Sequence, residues 1–235
     1  NDKAIENLQE ALAIHRKLGN KDGIAFNVDS IGTLYESQDK FDKAIENFQQ
    51  ALAIYRKLGR KHGIASSFSS IGRLYNSWGQ QDKAMENFQK ALTLFKKLGD
   101  GDMIAFSLIN IGQIYDLQGQ YDKAIENFQK ALAIARRLGS NNGIVSSLKH
   151  IATVYNSWGQ NDKAIENLQE ALAIHRKLGR EAEVATDLEH IGFVYYFRGQ
   201  YDKAIENFQE ALAIARRLGK EDAIAGSLVH IGRVY

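Results

Sequence analysis

Cysteine and proline are both missing from the 235 residues of this chain. Without cysteine there is no disulfide framework and no thiolate metal site, and the composition is compatible with a cytoplasmic location. No proline, low-complexity tract or linker interrupts the pattern, so the chain reads as one elongated domain. No apolar run approaches the ~20 residues that cross a bilayer, and the opening Asn1-Asp2-Lys3 is not a signal peptide. An excess of one charge is lacking too: 30 Lys and Arg stand against 28 Asp and Glu, a net charge of +2. Such a balance gives no polyelectrolyte character. Catalytic signatures are equally absent. There is no Gly-rich phosphate loop, no nucleophile elbow and no His-Glu metal motif, and carboxylates recur as repeated surface residues rather than unique pairs. The expectation is a chain that is not an enzyme and binds no cofactor.

What is present is repetition. The stretch from Tyr201 to Gly219 returns in close copies near Asp2, Asp42, Asp82, Asp122 and Asp162, a period of forty residues. Self-similarity at such a period marks stacked units that bury their apolar faces against their neighbours. Ala204, Ile205, Phe208, Ala211, Leu212, Ala215 and Leu218 recur at three- and four-residue spacing, which predicts a helix, here termed B. Asp202 is the expected N-cap, Arg216 and Arg217 suit the negative end of the helix dipole, and Gly219 supplies the left-handed stop. Glu206 and Glu210 cannot pair with each other and read as a solvated outer face.

A second, more variable helix, A, alternates with B. Its first copy is expected from about Asp22 to Gln38, with Ile24, Ala25, Val28, Ile31, Gly32, Leu34 and Tyr35 at helical spacing. A mid-helix glycine costs ~1 kcal/mol against alanine. Its return at Gly32, Gly72, Gly112, Gly192 and Gly232 therefore argues for close helix approach, with the small Ala152 as the one substitution. The chain opens in mid-period and without methionine, so it is expected to be a fragment. Residues 1–19 would be an unpaired B helix, residues 20–59, 60–99, 100–139, 140–179 and 180–219 five complete units, and residues 220–235 an unpaired A helix.

Phe68, Ile71-Gly72, Tyr75, Ala84 and Phe88 sit where the tetratricopeptide repeat places its aromatic, Leu-Gly, Tyr, Ala and Phe. The chain resembles that family throughout, departing in a unit of forty residues rather than about thirty-four and in the missing proline after helix B. Such units are similar to those of the Pins/LGN polarity adaptors, kinesin light chains and bacterial tetratricopeptide regulators, including those fused to caspase-like proteases. The resemblance implies an all-α fold, an α-solenoid in which antiparallel helix pairs wind into a right-handed superhelix. It also implies a protein–protein interaction scaffold with a concave groove lined by the A helices.

Helix B hardly varies between copies, whereas helix A varies at particular places. The positions that match the family's groove are Phe26, Asp29, Thr33 and Glu36; Ser66, Ser69, Arg73 and Asn76; and Phe106, Ile109, Gln113, Asp116 and Leu117. They continue with Ser146, Lys149, Thr153 and Asn156; Thr186, Glu189, Phe193, Tyr196 and Phe197; and Val229 and Arg233. Side chains freed from packing are available to read a partner. Phe106, Ile109 and Leu117 form one expected apolar patch and Phe193, Tyr196 and Phe197 another, while Arg73, Lys149 and Arg233 suit carboxylates on a peptide. The dicarboxylate clamp of chaperone-binding relatives is not matched, since Thr153 follows Lys149 where that clamp has asparagine.

Three further constellations have bland readings that are preferred. His150, His190 and His230 recur at equivalent positions one repeat apart, too far to converge on one metal ion, and are expected to be structural. The paired bases such as Arg136-Arg137 and Arg176-Lys177 are explained by the helix dipole rather than by nucleic acid or a membrane. Trp78 and Trp158 are expected to pack at the A-to-B turn. Besides a groove-binding scaffold, two readings stay open: a sensor or recruitment segment of a larger effector, and an array assembled by head-to-tail stacking of the half-repeat ends.

Overall fold

A computed structural model describes residues 2–235, with side chains from Lys3 onward. Among the described residues there are twelve helices and no strand. The B helices are α1 (Asp2–Lys17), α3 (Phe41–Lys57), α5 (Gln81–Leu98), α7 (Tyr121–Leu138), α9 (Asn161–Lys177) and α11 (Tyr201–Arg217). Between them run the A helices α2 (Lys21–Glu36), α4 (Lys61–Ser77), α6 (Gly101–Leu117), α8 (Asn141–Ser157), α10 (Glu181–Phe197) and α12 (Glu221–Val234). They group into two compact units that divide within α6, the first ending at Ile114 and the second running from Tyr115 to Tyr235.

Each helix from α1 to α11 ends where a left-handed residue breaks it. Gly219 has φ 64° and Gly199 has φ 71°, so both kinds of turn use glycine in the same way. Asp39 takes that role in the first A-to-B turn at φ 57°, a conformation that costs a non-glycine residue ~1 kcal/mol or more. Helix starts differ from expectation. The N-cap of α11 is Gln200, with no side-chain cap, and Asp202 lies inside the first turn. The left-handed glycine turns the chain early, so the carboxylate meets the helix dipole without capping it. Side-chain caps occur instead on A helices, where Asn20 Oδ1 accepts from Gly23 N at 3.0 Å and Asp100 Oδ1 from Met103 N at 3.1 Å.

The core repeats one contact. Phe48, Phe88 and Phe208 are at most 1% exposed, and each ring lies on the mid-helix glycine of the preceding A helix. A Cβ on Gly32, Gly72 or Gly192 would approach those rings to 2.8, 2.9 and 2.6 Å, closer than packed atoms allow. Burying a phenylalanine contributes ~2–3 kcal/mol, and glycine makes room for it. The exception explains itself: Ala152 follows from Leu168, which stands where α3, α5, α7 and α11 place phenylalanine, and both are buried in one cluster.

Side-chain pairs then tie neighbouring repeats. Arg136 reaches Glu170 and Arg176 reaches Glu210, each at 2.6 Å, so Glu210 bridges to the preceding B helix rather than being merely solvated. Such exposed pairs contribute ~0–1 kcal/mol each. Trp78 stacks on Phe41 at 5.6 Å and Trp158 packs against Tyr121 at 5.9 Å, which places both tryptophans at the A-to-B turns as structural contacts. Where the repeat carries Arg198 in place of tryptophan, the guanidinium pairs with Asp162. His150 lies over Phe128 at 5.0 Å and His230 over Phe208 at 5.4 Å, so two of the three recurrent histidines pack on core rings.

Candidate partner-binding groove

The variable positions of each A helix fall on one stripe because residues three and four apart share a face. On α2 that stripe carries Phe26, which is 63% exposed, the half-buried Asp29, the exposed Thr33 and Glu36. On α4 Arg73 does not await a partner: its Nη2 lies 3.0 Å from Glu36 Oε2. Ser69 is buried, only 6% exposed, so this expected groove residue belongs to the interior. Asn76 is half-buried, with its Oδ1 lacking a hydrogen-bond partner. Phe106 is 39% exposed on α6, Ile109 and Gln113 are half-buried there, and Leu117 is 64% exposed at its end.

In the second unit the structure brings five of the expected groove positions together. Lys149 and Asn156 of α8 and Phe193 and Phe197 of α10 line a cleft of about 180 Å³ whose floor is Ala152, Leu168 and Val194. Thr153 and His190 complete the wall. The opening lies where the scaffold loses a ring. His190 occupies the position from which His150 and His230 stack on phenylalanine, but beneath it is Leu168, and the imidazole faces the cleft instead. Burial first and the Lys149 ammonium second hold its pKa below the ordinary imidazole value.

Lys149 is not a free cation. Its Nζ lies 2.6 Å from Asp187 Oδ1, and the other carboxylate oxygen is 2.7 Å from His175 Nδ1. Asp187 is fully buried, so the two partners offset the loss of hydration that an isolated carboxylate could not survive. Sequence reading missed this group. A signal was present, since α10 alone has a carboxylate at this register, where Asn27, Ser67, Ser107, Ser147 and Ser227 stand in the other copies.

The other expected residues lie around the cleft rather than in it. Phe193 packs edge-on against Phe208 at 5.3 Å and His230 at 4.5 Å, which fixes its ring as a wall. Phe197 is 72% exposed and meets Tyr196 at 5.4 Å; Tyr196 in turn leans toward Tyr201. Glu189 Oε1 accepts from Ser227 Oγ at 2.8 Å, and Arg233 is exposed on α12. A larger opening of about 620 Å³ runs between α9, α10 and α11, crossed by the Arg176–Glu210 pair. Its Leu172 and Arg176 recur in other copies as Leu132 and Arg136, so it is a product of regular packing, and the smaller cleft is the more individual feature.

With its ammonium engaged, the cleft offers an apolar floor, two aromatic rings and a neutral polar rim. That chemistry accepts an uncharged apolar side chain. Cavities of ~150 Å³ hold one aromatic ring, which sets the scale.

Comparison with known proteins follows the same lines. The family model for the tetratricopeptide repeat matches residues 1–57, 24–97, 101–177 and 183–235. No curated protein matches the chain. Among solved structures, the chain is similar to BtubC (BKLC) from P. vanneervenii, with a TM-score of 0.83 and 21% identity over 93% of this chain and 92% of that one. It is similar to a signal transduction ATPase with numerous domains and a tetratricopeptide repeat sensor from Pyrococcus horikoshii, with a TM-score of 0.82, 20% identity, and coverage of 99% of this chain and 36% of that one. A putative kinesin light chain with nearly identical TPR-like repeats from Podosopora anserina gives a TM-score of 0.70 at 21% identity over 83% of this chain and 96% of that one. At these identities the likeness is one of fold, an all-α solenoid of helix pairs.

Proposed function

Because the chain belongs to the tetratricopeptide-repeat family, whose fold generally mediates protein–protein interaction, we propose that it is a non-catalytic binding module that holds a segment of a partner protein along its A helices. The cleft between α8 and α10 is the anchor, taking one large apolar side chain. One observation carries this reading: the cleft opens at the single place where the repeated glycine–phenylalanine pair is replaced, by Ala152 and Leu168. Engagement of Lys149 with Asp187 and of Arg73 with Glu36 shifts the preferred partner from an acidic peptide toward an apolar one.

The test restores the scaffold. A peptide library selected on the protein is expected to enrich a large apolar residue. The double change Ala152→Gly with Leu168→Phe should fill the cleft and give His190 a ring to stack on, keeping the fold while weakening selected peptides at least about tenfold, ~1.4 kcal/mol. Phe197→Ala should weaken them similarly. Peptides that bind the filled variant as tightly as the parent would refute the assignment.

A further inference from the structure

On the first unit's A-helix face, one group is left without what its counterpart in the second unit possesses. Asp29 of α2 occupies the register of Lys149 of α8, and Ser67 of α4 the register of Asp187 of α10. In the second unit these registers meet as an ion pair, and one repeat later Ser227 donates to Glu189 across the same junction at 2.8 Å. In the first unit neither bond forms. Ser67 is 1% exposed and its Oγ has no hydrogen-bond partner. The cation that acts on Asp29, Arg73, is paired to Glu36.

We propose that Asp29 is the centre of a cation-reading site on this face, which takes the ammonium or guanidinium of a basic side chain from a partner protein. The inference rests on the binding-module reading and names what its first unit would recognise. Charge complementarity carries it. Asp29 and Glu36 outnumber Arg73 on this face, so a half-buried carboxylate lacks a counter-ion, and the Lys149–Asp187 pair shows within the same protein how an ammonium answers a carboxylate at this helix junction. The buried Ser67 hydroxyl, at the register that bonds across the junction elsewhere, offers the incoming group a second polar contact. Phe26, one turn before Asp29 on the same stripe and 63% exposed, presents a ring for the aliphatic stem or the charge itself.

The electrostatics agree with an unmet carboxylate. Burial raises the Asp29 pKa from 3.8 to about 6; Arg73 opposes the shift and Glu36 adds to it. Tyr55 of α3, which feels the Asp29 charge, is itself raised by burial first and then by Asp29 and Asp22. An external cation would relieve this strain, a differential interaction from which binding energy can be drawn.

The experiment is a residue-resolved NMR titration of the whole chain with two blocked peptides, one with a central lysine between leucines and one with norleucine in its place. Near neutral pH the lysine peptide should give saturable shifts at the amides of Phe26, Asp29 and Thr33, at least about tenfold stronger in affinity than the norleucine peptide. Asp29→Asn should erase that preference with helicity retained, and so should lowering the pH well below about 6, where the carboxyl is protonated. Phe26→Ala should weaken both peptides. Equal affinity for the two peptides, a preference that survives Asp29→Asn, or no saturable shift on α2 would overturn the proposal. Shifts confined to the α8–α10 cleft would overturn it while leaving the binding-module reading intact.

Discussion

The junction of α2 with α4 and the junction of α8 with α10 are built on one repeat and solve its polar positions in opposite ways. At the second, Lys149, Asp187 and His175 form a closed group with the carboxylate fully buried. At the first, the same registers hold Asp29, which forms no ion pair and feels Arg73 only at a distance, and Ser67, whose buried hydroxyl has no hydrogen-bond partner. A repeat scaffold can therefore pair its polar groups internally in one copy and leave them unpaired in another. Stability is concentrated in the first case and binding potential in the second.

The largest expected effect tests the closed group. Lys149→Met removes one partner of a buried carboxylate and should destabilise the second unit by ~3–5 kcal/mol in urea unfolding. Arg73→Met, at a pair whose guanidinium is exposed and whose Glu36 is half-buried, should cost less, ~1 kcal/mol. Similar losses at both sites would erase the distinction between the junctions.

Asp29→Asn should have the opposite sign. Because folding lifts this carboxyl from 3.8 to about 6, protonation favours the folded state: the stabilisation is full below pH ~4 and disappears as the pH rises through about 6. At pH ~8 the amide should stabilise the protein by ~1–2 kcal/mol, a figure reduced from the full shift because Asp29 is partly solvated, and near pH ~4 it should change little. Destabilisation at high pH would show that the carboxylate has an internal partner after all.

Ser67→Ala carries the smallest effect, expected within ~1 kcal/mol and toward greater stability, since it removes a buried hydroxyl that bonds to nothing. Asp187→Ala at the same register should be destabilising, because it leaves Lys149 and His175 without their shared acceptor. Chemical denaturation of the two variants side by side decides whether equal registers have unequal roles.

Much of the fold was legible in the residues. The helices lie close to where the apolar periodicity places them, and glycine stops them as expected, because both signals act within one or two turns. Asp202 misled as a cap because the turn ahead of it is set by Gly199 and Gln200. The site was legible in part. Phe193, Phe197, Lys149 and Asn156 stood out by variability, yet the cleft they line depends on Leu168, a scaffold residue on another helix. Lys149 itself looked available and is engaged.

By itself the sequence determined the repeat period, the helical faces, the stops and the division between constant and variable positions. These follow from local backbone preference and from which side chains can tolerate water. Only the tertiary structure decided that Lys149 answers Asp187, that Arg73 answers Glu36, that Trp78 lies on Phe41 and that the Ser67 hydroxyl answers nothing. Such pairings join residues a repeat apart, where a change of about an ångström separates an ion pair from an unmet charge, and no pattern along the chain encodes that distance.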